Sequence, residues 1–335
     1  VAGLYFAVIV LFLVFGGLRY EVGADWFSYK KIFEGVYNWD VVFNSREEKL
    51  FLAYFYVISW FSDNYSLAVF VFFAISFLIK VYVLDKYSSN IFLSLIIYFP
   101  AIFMIYDINA IRQGMAIGIV LLSIPAILEK KPVQFILILT IASFLHTSAI
   151  VFIPFYFVAH AQISVKWIVI IAAGVLIISI PLRQFMLANP LFTMVLNSDS
   201  LTHYNSYLEE SEANKSVEII SIAVFQRVVF LAIVLFNYED INLPENQKRL
   251  FLNGYFISFL IFILFSFSTE FSARLAFYYK SFEMILLPLV VTAQKRHLPK
   301  LIYFTIFVIL SAIAVQRLLS VKDGGLLPYK LYIFS

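Results

Sequence analysis

Long runs of apolar residues, separated by short polar connectors, repeat along the whole chain. A helix of about 20 apolar residues crosses a bilayer, so these runs predict membrane-spanning helices rather than buried strands. They lie near residues 1 to 18, 65 to 84, 91 to 106, 109 to 128, 133 to 145, 146 to 160, 163 to 181, 218 to 237, 249 to 268, 271 to 292 and 299 to 317. The run that opens at Val1 reads as a span rather than as a complete signal peptide. The predicted fold is all-α: a polytopic helical bundle of about 11 transmembrane segments forming one transmembrane domain over residues 1–335. Residues 48 to 61, after Glu47-Glu48-Lys49, hold too few apolar positions for an ordinary span and read as a re-entrant or interfacial helix. The stretch 133 to 159 is too long for one upright helix and too short for two full ones, and His146 marks the predicted break.

Orientation follows from the short basic connectors. Glu129-Lys130-Lys131-Pro132, Lys248-Arg249 and Lys295-Arg296-His297-Leu298-Pro299-Lys300 fall on one side when spans are counted between them, which marks that side as cytoplasmic. Residues 19 to 64, 182 to 217 and the tail from Arg317 are then external, and 182 to 217 reads as a lid. No period of 20 to 50 residues recurs, which weighs against an inverted-repeat transporter.

Composition narrows the function. Of 335 residues, 62% are hydrophobic and 13% charged, which excludes a soluble globule, a disordered chain and a nucleic-acid binder. The absence of cysteine removes disulfides and thiolate metal sites. The chain has no Walker A loop, no His-Glu-x-x-His, no Gly-x-Ser-x-Gly and no Asp-x-Asp, so a cytosolic nucleotide-sugar site is poorly supported and no cofactor or metal is expected.

Ionisable groups inside a bilayer cost several kcal/mol unless paired or hydrated, so each is a candidate. Arg112 stands in the first turn of a helix, where the macrodipole disfavours a cation and a bound anion would favour one. Arg274 repeats that logic, or pairs with Glu270 four residues earlier. Arg227 lies about 15 Å into its span, as a buried ion-pair partner or in a hydrated cavity. Arg19 is either an interfacial anchor or, with Asp25, Trp26, Phe27 and Tyr29 beside it, part of a site for a pyrophosphate with a sugar stacked nearby. His146 is either a neutral imidazole bonded across helices or a general base. The doublets Glu47-Glu48 and Glu209-Glu210 read as solvated faces, and Lys280 and Glu283 as a satisfied pair.

These residues resemble the EpsG and Wzy-type polymerases of bacterial exopolysaccharide and O-antigen. The family's external Arg-x-x-x-Gly-x-Asp-x-x-x-Tyr pattern is similar to Arg19, Gly23, Asp25 and Tyr29. Its glutamate before a short aromatic helix resembles Glu48 and Phe51, and its Arg-Gln-x-x-Ala pattern resembles Arg112, Gln113 and Ala116. Its Phe-x-His-x-Ser-Ala pattern resembles Phe144, His146, Ser148 and Ala149, and its late Arg with tyrosines resembles Arg274, Tyr278 and Tyr279.

The resemblance implies a metal-independent glycosyltransferase of the bacterial inner membrane, active on the periplasmic face. It would join oligosaccharide repeat units, donor and acceptor both carried on undecaprenyl pyrophosphate, among membrane lipids and with room for a chain-length regulator protein as partner. On that reading Arg112 and Arg274, with Arg19 and Arg227, hold the pyrophosphate, and Gln113, Tyr29 and Tyr278 complete the substrate site. His146 is the first candidate for the acceptor base, Asp25 and Glu48 the second. The alternatives are a flippase or exporter of the same lipid-linked oligosaccharide and an O-antigen ligase.

Overall fold

The computed structural model describes residues 2–188, 221–267, 269–321 and 325–334, and among them the secondary structure is helical, with one isolated backbone bridge, Arg19 to Leu331. The first half holds α1 (Ala2–Phe12), α2 (Trp26–Gly35), α3 (Trp39–Asn44), α4 (Lys49–Ser59), α5 (Tyr65–Tyr87), α6 (Ile91–Tyr98), α7 (Ile111–Leu121), α8 (Ile124–Leu128), α9 (Pro132–Leu145) and α10 (Phe155–Val158). The second half holds α11 (Val165–Ala188), α12 (Ile222–Phe236), α13 (Glu245–Leu264), α14 (Thr269–Lys280), α15 (Glu283–Ala293) and α16 (His297–Ser320).

Five helices among the described residues are long and apolar enough to cross a membrane: α5, the joined α7–α8 from Ile111 to Leu128, Val165–Phe185 of α11, α13 and α16. The pair Ser272–Lys280 and Glu283–Ala293, bent by 44°, makes a sixth if counted as one broken span. The other predicted segments form shorter apolar helices of 10–17 residues: Ala2–Gly17, Ile91–Asp107, Pro132–Leu145, Thr147–Val158 and Ile222–Phe236. Of the expected count of about 11 transmembrane segments, five or six thus pass this test of length and composition, and the causes that shorten the others are local. The first helix passes into a π-helical turn at Leu13–Gly17, and α6 does so at Phe99–Asp107, where Pro100 lacks an N–H to donate. The third, α9, stops at Leu145 because His146 is extended, at φ −159° and ψ 115°.

Burial sorts the long helices. In α5, α7–α8 and α13 more than half of the apolar window is buried, whereas in α11 and α16 only 11% is. An apolar exterior of that length is stable only against lipid, so α11 and α16 form the lipid-facing rim and the others the core of a multi-pass membrane protein. At the core, the π-helical turn Leu13–Gly17 lies close against α5 because Gly16 and Gly17 leave space: a Cβ at Gly16 would come within 2.2 Å of the Phe73 ring. Inside the same core Lys80 of α5 and Asp107 form an ion pair at 2.8 Å, both 1% exposed. Ser76 and Tyr98 donate to the two oxygens of Asp107, so the buried carboxylate is fully coordinated.

The stretch 19 to 47, expected as an external loop, contains α2 and α3. Asn38 starts α3 by accepting from the Val41 N–H at 2.8 Å. The turn before α2 is held by two distant segments. Gly23 N–H donates to Gly325 O at 2.8 Å, and Ala24 N–H to Asn109 Oδ1 at 2.8 Å. Gly23 has φ +109°, and a Cβ there would lie 2.7 Å from Ile108 O, so glycine is required on both counts. Tyr20 N–H donates to Lys330 O, and Tyr332 N–H to Leu18 O, which lays the tail 325–332 along residues 18–23. The predicted lid 182 to 217 is helical as far as Ala188; its remainder lies outside the described residues.

Candidate active site

Four segments far apart in sequence meet where α2, α4, α7 and the α9 break converge. Arg112 stands in the first turn of α7, and its Nη1 donates to Glu47 Oε2 and Glu48 Oε2. Two carboxylates thus offset a cation at the positive end of a helix dipole. Glu48 occupies the N-cap position of α4 but makes no capping hydrogen bond, because its carboxylate turns into the site. Its second oxygen, Oε1, lies 3.0 Å from His146 Nδ1. The extended backbone of His146 ends α9 and aims the imidazole away from the helix axis toward Glu48.

Burial would raise the Glu48 carboxyl, but the His146 hydrogen bond and the charge of Arg112 outweigh it and hold it at about 2. Glu48 is therefore an acceptor at neutral pH and His146 donates to it through Nδ1–H. A neutral imidazole in that tautomer keeps the lone pair on Nε2. Aromatic rings frame the guanidinium: its carbon is 5.4 Å from the Tyr29 centroid and 5.5 Å from that of Phe51. Burial pushes the Tyr29 hydroxyl up to about 12 against the pull of Arg112. Asp25, at the N-cap of α2, is also pushed upward by burial, with the charges of Arg274 and Arg112 opposing.

The α14 helix closes the other side. Gln113 Nε2 donates to the Arg274 carbonyl at 2.6 Å, and Ser148 Oγ lies 3.0 Å from the Tyr278 hydroxyl. Arg274 joins this cluster through its backbone carbonyl, and its charge opposes the rise of Asp25. The pair expected between Glu270 and Arg274 involves a side chain outside the described residues. Among the described residues no three His, Asp or Glu side chains stand close enough to hold a metal ion.

The structure thus brings together Asp25, Tyr29, Glu48, Arg112, Gln113, His146, Arg274 and Tyr278, and adds Glu47. Two expected members are elsewhere. Arg19 is 1% exposed, donates to Gly16 O at the π-helical end of the first helix and lies 5.7 Å from the Trp26 centroid. Arg227 lines a separate cavity, donating to Ser258 Oγ at 3.2 Å with its carbon 3.9 Å from the Phe262 centroid. Glu47 and Glu48, read as a solvated face, are the partners of Arg112. Lys280 and Glu283, read as a pair, form no ion pair, because α14 ends at one and α15 starts at the other across the 44° bend. The buried pair Lys80–Asp107 was missed, although a lysine 15 residues into the apolar run from Tyr65 is itself the signal.

Compared with known families, residues 3–331 match the model of the EpsG family. No curated protein and no solved structure matches the chain.

Proposed function

Since the chain belongs to the EpsG family, whose membership implies a membrane protein of polysaccharide-polymerase type, we propose that it is a glycosyltransferase that lengthens a lipid-linked saccharide. Donor and acceptor repeat units are each carried on undecaprenyl pyrophosphate, and the site faces the periplasm of the bacterial inner membrane, with a chain-length regulator as partner. The observation that carries this reading is the chain Arg112–Glu48–His146, assembled from three separate segments. Arg112 fixes the Glu48 carboxylate, and Glu48 fixes the imidazole tautomer, which leaves Nε2 as the base. A carboxyl held at about 2 is too weak a base for a sugar hydroxyl, so Glu48 positions the imidazole and His146 takes the proton, with Asp25, which burial pushes upward, as the second candidate base.

In the proposed step the acceptor hydroxyl gives its proton to His146 Nε2, and its oxygen forms a bond to the donor's anomeric carbon. The bond from that carbon to the diphosphate oxygen breaks, and the electron pair leaves with the diphosphate. Arg274, with Arg112, stabilises the charge that develops there. A diphosphate leaves without protonation, so one base suffices.

The test is a reconstitution of the purified protein with lipid-linked repeat units, products resolved on a gel. A length ladder with the wild type and none with His146→Gln supports the reading. Single transfer to another lipid selects a ligase, and unchanged donor that crosses the bilayer selects a transporter; either result rejects polymerisation.

A further inference from the structure

The cavity that holds Arg227 is about 510 Å³, within the ~300–1,000 Å³ usual for small-ligand sites. It lies between the π-helical end of α6 and helices α12, α14 and α16, with Pro100, Phe262, Phe277 and Leu310 among its apolar walls. Its ionisable groups are Arg227, Lys280, Glu283 and, in the last turns of α16, Arg317. Among the described residues three cations stand against one carboxylate.

Among the described residues the deep cations outnumber the deep carboxylate, Glu283. Among the described residues no carboxylate lies within ion-pair distance of Arg227 or Lys280; Arg227 has its Ser258 hydrogen bond and the Phe262 face, and Lys280 lies 4.8 Å from the Phe277 centroid. Glu283 is 2% exposed, and its Oε2 has no hydrogen-bond partner. Arg227 is 4% exposed and uses one of five guanidinium donors. Unpaired buried charges of one dominant sign are strongly destabilising, and an anion between them would reverse that.

The helix α14 separates this cavity from the Arg112 cluster. Ala273, Phe277 and Lys280, spaced i, i+4, i+7, form the stripe toward the cavity, whereas Arg274 and Tyr278 lie on the adjacent stripe. Lys280 is six residues, or about 9 Å, along the helix from Arg274. The walls that bound the cavity are also the lipid-facing ones: Phe225 of α12 and Ile309 of α16 are 62% and 52% exposed.

We propose that this cavity is a second anion site, which takes the phosphate headgroup of an amphiphile whose apolar chain lies along α12 and α16. The ligand chemistry is a phosphate ester on a long hydrocarbon chain, supplied by a prenyl phosphate or by a glycerophospholipid. The assignment stands apart from the polymerase reading, because its test reads binding and not chain growth.

The test uses the full chain in detergent and native mass spectrometry, with four probes: a long-chain prenyl monophosphate, phosphatidylglycerol, phosphatidylcholine and inorganic phosphate. At least one of the first two is expected to bind, and Lys280→Met and Arg317→Ala are each expected to weaken it about tenfold, the loss of one charge-assisted contact. Whichever of the two binds more tightly identifies the source. Arg317 is exposed, so Arg317→Ala decides the matter even if Lys280→Met does not fold. Affinity unchanged in both variants overturns the proposal. So does phosphatidylcholine bound as tightly as the anionic lipids, or inorganic phosphate bound as tightly as either.

Discussion

Replacing Glu48 by Gln keeps the shape of the side chain and removes the anion that joins Arg112 to His146. The fall of this carboxyl from an ordinary 4.5 to about 2 corresponds, at about 1.36 kcal/mol per tenfold change in proton affinity, to about 3 kcal/mol favouring the ionised form in the fold. A depressed carboxylate contributes its stability above the unfolded value and loses it as pH falls through the folded one. The window is therefore pH 4.5 down to about 2. At pH 7 the Glu48→Gln protein is expected to be less stable by up to about 3 kcal/mol, with the gap from wild type closing as pH falls through that window. Thermal melts in detergent, followed by tryptophan fluorescence, measure this directly.

Chain growth gives an independent readout. With the orienting carboxylate gone, the rate is expected to fall by about 100-fold or more. The acid limb of the residual activity moves to lower pH, because the imidazolium loses its neighbouring anion. A variant that melts with the wild type at pH 7 and elongates at the wild-type rate would refute the relay.

Arg112→Lys keeps a cation but loses the planar guanidinium that lies by the Tyr29 and Phe51 rings while its Nη1 bridges Glu47 and Glu48; chain growth is expected to fall at least tenfold while melting changes little, measured by the same two assays. Gly23→Ala places a methyl 2.7 Å from Ile108 O at a φ of +109°, so a loss of about 1–3 kcal/mol in stability is expected, read from the melting temperature. Lys80→Met strands the buried Asp107 carboxylate and is expected to cost about 3–5 kcal/mol, whereas adding Asp107→Asn should restore most of it; a double-mutant cycle of melts checks the sign.

Much of the site was legible because its chemistry conflicts with its surroundings. Arg112 stands out as a cation in the wrong turn of a helix, and His146 as a polar residue where an apolar run is too long for one span. What the conflict did not reveal is its resolution. The partners of Arg112 are Glu47 and Glu48, more than sixty residues earlier, and no local pattern connects them. Arg19 was misplaced for a similar reason: its motif puts it beside Asp25, but its side chain turns back to the Gly16 carbonyl. Apolar runs outnumber the long regular helices among the described residues because hydropathy is blind to the π-helical turns at Leu13–Gly17 and Phe99–Asp107 that end regular helix. The helix α2 went unseen because its buried Trp26, Tyr29 and Phe33 sit in a stretch too polar for a span.

The tail that lies along residues 18–23 sets an order of events. Ribosomes make this chain from its first residue to its last, so the turn that carries Asp25 lacks one wall until Gly325 and Lys330 emerge. A nascent protein, though already threaded into the bilayer by its earlier helices, holds an incomplete turn beside Asp25 until residues 325–332 have been made and laid against it.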